Sequence, residues 1–171
     1  MRLVDLRAGR PSWCAGGPVR LLDLDATRQA AGLGAAIRHH TYTHVVRGTR
    51  PATPWPEYLH KHLEQPGRHP LDKARLAFDS QPRVLALNAH NANHPHARLD
   101  PTELEMLQTG PAGYANYRAL AAVCGDALLT ADKHKIAPVS DRMADRITYL
   151  ARAHQHLTSL QPTQRLLAIR L

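Results

Sequence analysis

Three histidines at close spacing, His90, His94 and His96 in HNANHPH, are the residues whose type and placement first suggest chemistry. Neutral imidazoles so placed can converge on zinc or another transition metal, and Asp100 stands where a fourth ligand would be wanted. The run Asp100-Pro101-Thr102-Glu103 also reads as a helix start, with Asp as the N-cap, Pro at the first position and Glu in the first turn. That use claims the carboxylate. Histidine pairs recur at His39/His40, His60/His62 and His154/His156, and neither an HExxH nor a paired CxxC accompanies them. The stretch therefore predicts an exposed, asparagine-rich loop, with no metal and no cofactor.

A second set of side chains suits phosphate. Arg142, Arg146, Tyr149 and Arg152, with His156, are placed on one side of an amphipathic helix of about twenty residues whose other side carries Met143, Ile147, Leu150, His154 and Leu157. Guanidinium groups along a rigid helix can each contact a phosphate, and Tyr149 among them can stack on a base. Arg47 and Arg50 add basic groups earlier in the chain. The net charge of +8 over 171 residues, with twelve histidines besides, favours polyanionic partners: nucleic acid or an acidic protein surface.

The positioning elements follow from local pattern. The longest stretch built for burial begins at Tyr114, and Pro111 and Gly125 specify a central helix between them. Ala127 to Thr130 should then form a brief buried strand or a tight turn. Earlier, Arg2–Leu6 and Val19–Leu24 are short aliphatic runs that can pair as strands across the Gly/Pro-rich AGRPSWCAGGP. A helix is expected from Ala26 to His40, although Gly32 and Gly34 weaken it. Further short helices are expected at Glu57–Glu64, with Tyr58, Leu59 and Leu63 inward; at Leu71–Phe78, with Leu71, Ala74, Leu76 and Phe78 partly buried; and at Thr102–Gln108, with Leu104 and Leu107 inward. Residues 83–88 suit a strand or a helix equally.

The length suits one domain over residues 1–171, with residues 1–18 as an N-terminal arm or strand and residues 162–171 as a C-terminal tail. The expected fold class is mainly α with a few short strands, against an α/β alternative with a small sheet. Cys14 and Cys124 are too few for a disulfide scaffold and read as free thiols in a reducing compartment. With no apolar run of membrane-spanning or signal-peptide length, the expected location is cytoplasmic and away from membranes.

Two local resemblances sharpen the functional expectations. Within AIRHHTYTHVVRG, residues 36–48, the placement of Thr41, Val45 and Gly48 resembles the second helix of a repressor-type helix-turn-helix, which implies DNA contacts from Arg47 and Arg50. The match departs at Ala36, where that turn usually carries glycine, and at Tyr42. Residues 117–133, YRALAAVCGDALLTADK, resemble the late helix and strand of the PIN-domain ribonucleases, which implies a metal-binding role for Asp132 and, in the first strand, for Asp23. That family's other late acid would fall near Tyr114, and Glu57 is only a loose match for the middle one. Two acids hold Mg²⁺ or Mn²⁺ weakly. Taken together, the sequence points to a regulatory or accessory protein that binds nucleic acid, DNA in preference to RNA, without catalysing a reaction. The alternatives are a metal-dependent nuclease or hydrolase, PIN-like or built on the histidine cluster, and an interaction module for an acidic protein; the last helix suits a homodimer as well as a core.

Overall fold

The computed structural model of the chain describes residues 3–5 and 12–169. Arg2 and Leu6 of the first aliphatic run, residues 8–11 of the connection, and Arg170 and Leu171 of the tail lie outside the described residues. In chain order the elements are β1 (Leu3–Asp5), β2 (Ser12–Cys14), β3 (Gly16–Pro18), β4 (Leu22–Asp23), α1 (Leu24–Val45), α2 (Trp55–Glu64), α3 (Leu71–Asp79), α4 (Pro82–Asn93), α5 (Leu104–Gln108), α6 (Pro111–Cys124), β5 (Leu128–Leu129), β6 (Lys135–Ile136), α7 (Met143–Thr158) and β7 (Arg165–Leu167), with 3-10 turns at Val19–Leu21 and Pro101–Glu103. The fold is mainly α. Among the described residues every strand is two or three residues long and every pairing antiparallel, so no sheet forms a layer on which helices could pack. That corrects the α/β alternative.

The chain divides into two units: residues up to Ala35 together with those from Ala115 onward, and the continuous stretch Ala36–Tyr114. In the first unit, β4 pairs with β1 as the aliphatic runs predict, and β1 also pairs with β2. Asp23 ends β4 and caps α1: its Oδ1 accepts from the Ala26 N–H at 2.7 Å, while the Thr27 hydroxyl donates to its carbonyl. Gly32 does not break α1, and there the helix runs close to Ala115 and Ala119 of α6. The tail is held as a strand. β7 pairs with β3, with Leu166 buried, and Gly16 adopts φ +146° where a side chain would run into the Leu166 carbonyl.

α6 begins at Pro111 and ends before Gly125, whose φ of +64° and N–H bond to the Ala121 carbonyl close the helix as its sequence predicts. β5 follows and pairs with β6 across a turn in which Lys133 has φ +66°. The expectation of a buried strand is wrong here. Leu129 is 64% exposed, because a two-residue hairpin strand has no second layer to cover it.

In the second unit, prolines open the helices: Pro56 lies in the first turn of α2, Pro82 in that of α4 and Pro101 in the 3-10 turn before α5. Residues 83–88 are thereby helical. Ala74, Phe78, Val84, Leu87, Leu99, Leu104, Met106, Leu107 and Tyr114 form the core. Leu63, Leu71 and Leu76, expected inward or partly buried, are exposed: α2 buries no residue fully, and the narrow buried stripe of α3 falls on Ala74 and Phe78. Side-chain amides tie the connecting segments down. Gln108 accepts from the Ala52 N–H and donates to its carbonyl, Gln81 does the same for Thr53, and Asn91 for Leu99, all at 2.7–3.0 Å.

Candidate functional site

The helix expected to present a row of arginines is α7. Its buried stripe is Met143, Tyr149, Leu150, Ala153 and Leu157, centred near the fully buried Ala153, so the assignment of faces read from the sequence is corrected by about one residue step. Ile147, expected inward, is 47% exposed. Tyr149, expected outward for stacking, is 4% exposed, and its hydroxyl donates to the Cys124 carbonyl at 2.7 Å. Burial pushes this phenol's pKa up. Arg146 reaches the Asp126 carboxylate at 3.5 Å, an exposed pair of little energetic weight. Arg142 occupies the N-cap position, where Ser140 Oγ accepts from its N–H, and Arg142 and Arg152 are exposed. The four residues therefore do not share one outer face.

The end of α1 carries the other predicted contacts. The helix runs unbroken through Ala36, so the turn that a helix-turn-helix needs before its second helix is absent from this position. Its last turns present His40 and His44 to solvent; Arg47 is exposed in the turn that follows Val45, and Arg50 is exposed after Gly48, which turns the chain at φ +78°. These groups are linked: Arg47 Nη2 lies 3.2 Å from His44 Nδ1, and His44 Nε2 lies 3.2 Å from His40 Nε2, with the two rings edge to face at 4.6 Å. Behind the turn, Arg83 donates to the Thr49 carbonyl and hydroxyl, to the Tyr42 hydroxyl and to Gln108 Oε1 at 2.9–3.1 Å. A third guanidinium is thus fixed at the same loop by neutral acceptors. Burial raises the Tyr42 phenol's pKa, opposed by the charge of Arg83. No family model, curated protein or solved structure matches the chain.

Asp23, Asp100, Asp132, His90 and His94, considered for metal, have other partners. Asp23 caps α1, Asp100 Oδ1 accepts from the Thr102 N–H as its sequence context predicts, and Asp132 sits exposed in the β5–β6 turn, bonded to the Thr130 hydroxyl. That hydroxyl, more than any nearby charge, holds the Asp132 carboxyl below the usual carboxylate range. His90 and His94 stack at 4.5 Å, and their nitrogens contact the Ala97 and His90 carbonyls; among the described residues no group of three or more His, Cys, Asp or Glu is arranged to hold a metal ion. Among the described residues, no helix is long and apolar enough to cross a membrane. In the sequence His40 stands out only through its neighbour His39, and His44 not at all. The signal that would have found their contact is the spacing, since residues four apart on a helix share a face.

Proposed function

We propose that the chain binds nucleic acid, DNA in preference to RNA, through backbone phosphates, and acts as a regulatory or accessory protein without catalysing a reaction. The contacts are Arg47 and Arg50 at the end of α1, with Arg142 and Arg152 of α7 as secondary ones; Tyr149, being buried, is not among them. The observation that carries this reading is a carboxylate-free stretch. No Asp or Glu occurs between Asp25 and Glu57, and this stretch exposes Arg47, linked to His44 and through it to His40, and Arg50. Exposed charges more than a Debye length of about 8 Å away are largely screened at physiological salt, so the potential a phosphate meets is set by side chains close by, and those of this stretch are basic or neutral. The bland use of the same residues is to offset the negative end of the α1 dipole, worth about 0.3–1 kcal/mol per cation. Arg50 lies beyond the helix, so that use does not account for it.

Anisotropy titrations of labelled duplex DNA, single-stranded DNA and RNA against salt test the proposal, with the strands inspected afterwards for cleavage in Mg²⁺ and Mn²⁺. Two or more phosphate contacts predict intact duplex bound with a log–log salt slope of about −2 or steeper. Absence of binding at low salt overturns the reading and points to an acidic protein partner; cleavage would favour the nuclease alternative instead.

A further inference from the structure

We propose that His40 and His44 form a bidentate site for a divalent transition-metal ion on the exposed face of α1. Their Nε2 atoms are 3.2 Å apart. Two metal–nitrogen bonds of about 2.0–2.1 Å meeting at a near-tetrahedral angle place the nitrogens about 3.1–3.4 Å apart, so the side chains already stand at the separation that a shared ion requires. The four-residue spacing on one rigid helix fixes both rings on the same face, and the exposure of both leaves the remaining coordination positions to water.

The other histidine pairs lack this convergence. His90 and His94 have the same spacing, but His94 lies just past the end of α4, and their rings lie nearly parallel at 14°, with His90 Nε2 on the Ala97 carbonyl and His94 Nδ1 on the His90 carbonyl. His60 is paired with Glu64, and His62 Nδ1 lies 2.8 Å from the His69 carbonyl. Among the described residues, it is at His40 and His44 that two imidazole nitrogens lie within hydrogen-bonding distance of each other.

The proton arrangement is consistent and sets a cost. Arg47 can only donate, so its contact at His44 Nδ1 places the His44 proton on Nε2, directed at the unprotonated Nε2 of His40. An ion at the two Nε2 atoms takes both lone pairs; the His44 proton moves to Nδ1, no proton is lost from the neutral pair, and the Arg47 N–H must turn away from a site that has become a donor. Imidazole ligands in this open geometry suit Cu²⁺ best, then Ni²⁺ and Zn²⁺. The site requires no nucleic acid and stands apart from the phosphate reading.

Isothermal titration of the full chain with Cu²⁺, Ni²⁺ or Zn²⁺ alone, without nucleic acid, tests the proposal. Removing either ligand, in His40→Ala or His44→Ala, should weaken the tightest binding by about tenfold or more, whereas His90→Ala with His94→Ala should leave it in place. Arg47→Ala should bind the ion more tightly, because it removes both the competing donor and a positive charge. Equal affinity in the wild type and the His40→Ala/His44→Ala double variant would overturn the site, as would loss on removing His90 and His94. The visible absorption of bound Cu²⁺ gives a second readout: a band typical of imidazole nitrogen ligation must disappear in either single variant.

Discussion

Tyr149 shows how one hydroxyl decides which way a helix faces. α6 ends at Cys124, whose carbonyl has no partner within the helix, and the Tyr149 hydroxyl supplies one from α7. Tyr149→Phe keeps the ring and strands that carbonyl, so urea unfolding should report a loss of about 1–3 kcal/mol, while Arg152→Ala on the exposed face should change stability by less than about 0.5 kcal/mol. The neighbouring thiol is a parallel case. Cys124 donates to the Leu150 carbonyl and burial pushes its pKa up to about 11, so thiol reagents should label the half-buried Cys14 first and reach Cys124 only as the protein unfolds. Tyr149 and Ile147 differ little in hydrophobic pattern, and for that reason the sequence placed them on opposite sides of where they lie: the deciding factor, the orphan carbonyl at Cys124, comes from a distant residue.

At the scale of elements, the punctuation is legible and the cross-ties are not. Pro111, Gly125, and the Asp100-Pro101 start act through their own backbone, and each is found where local chemistry puts it. Leu104 and Leu107 face inward as their spacing requires. The clamps formed by Gln81, Asn91 and Gln108 join segments separated in sequence, and nothing local marks these amides apart from exposed ones. Asn91→Asp is the sharpest test: it keeps the acceptor for the Leu99 N–H and replaces the donor to the Leu99 carbonyl with a charge, so chemical denaturation should show a cost of about 1–3 kcal/mol. Gly16→Ala should likewise cost more than about 1 kcal/mol, since its φ of +146° and the Leu166 carbonyl both exclude a side chain; an unchanged melting temperature would mean that the β3–β7 pairing does not hold the tail. For the candidate site, the sequence marked Arg47 and Arg50 as basic groups, and the structure exposes both. The sequence offered two incompatible readings at residue 36, a helix over Ala26–His40 and the turn of a helix-turn-helix, because alanine and glycine suit both; α1 keeps the first and extends it to Val45.

For the whole molecule, buried acidic protons set the alkaline limit. The Cys124 thiol rises from 9.0 to about 11 and the Tyr114 phenol from 10.0 to about 12, chiefly through burial and, for Tyr114, also through its bond to Glu103; Tyr42 and Tyr149 shift the same way. Each group holds its proton more tightly folded than unfolded. The stability they contribute is fully present below about pH 9 and is lost as the pH rises through about 11 to 12, so urea midpoints should fall between about pH 8 and about pH 11. The surplus of positive charge is the molecule's other global property, and the question is where it acts. The most direct test compares the salt dependence of duplex DNA binding for the wild type, Arg47→Glu/Arg50→Glu, and Arg142→Glu/Arg152→Glu. Both variants lower the net charge from +8 to +4, because each of the two substitutions changes it by two. The account predicts that the first variant loses far more affinity and shows a slope shallower by about 2, one contact per arginine. Equal losses in the two variants would contradict it, since binding would then follow net charge rather than the end of α1.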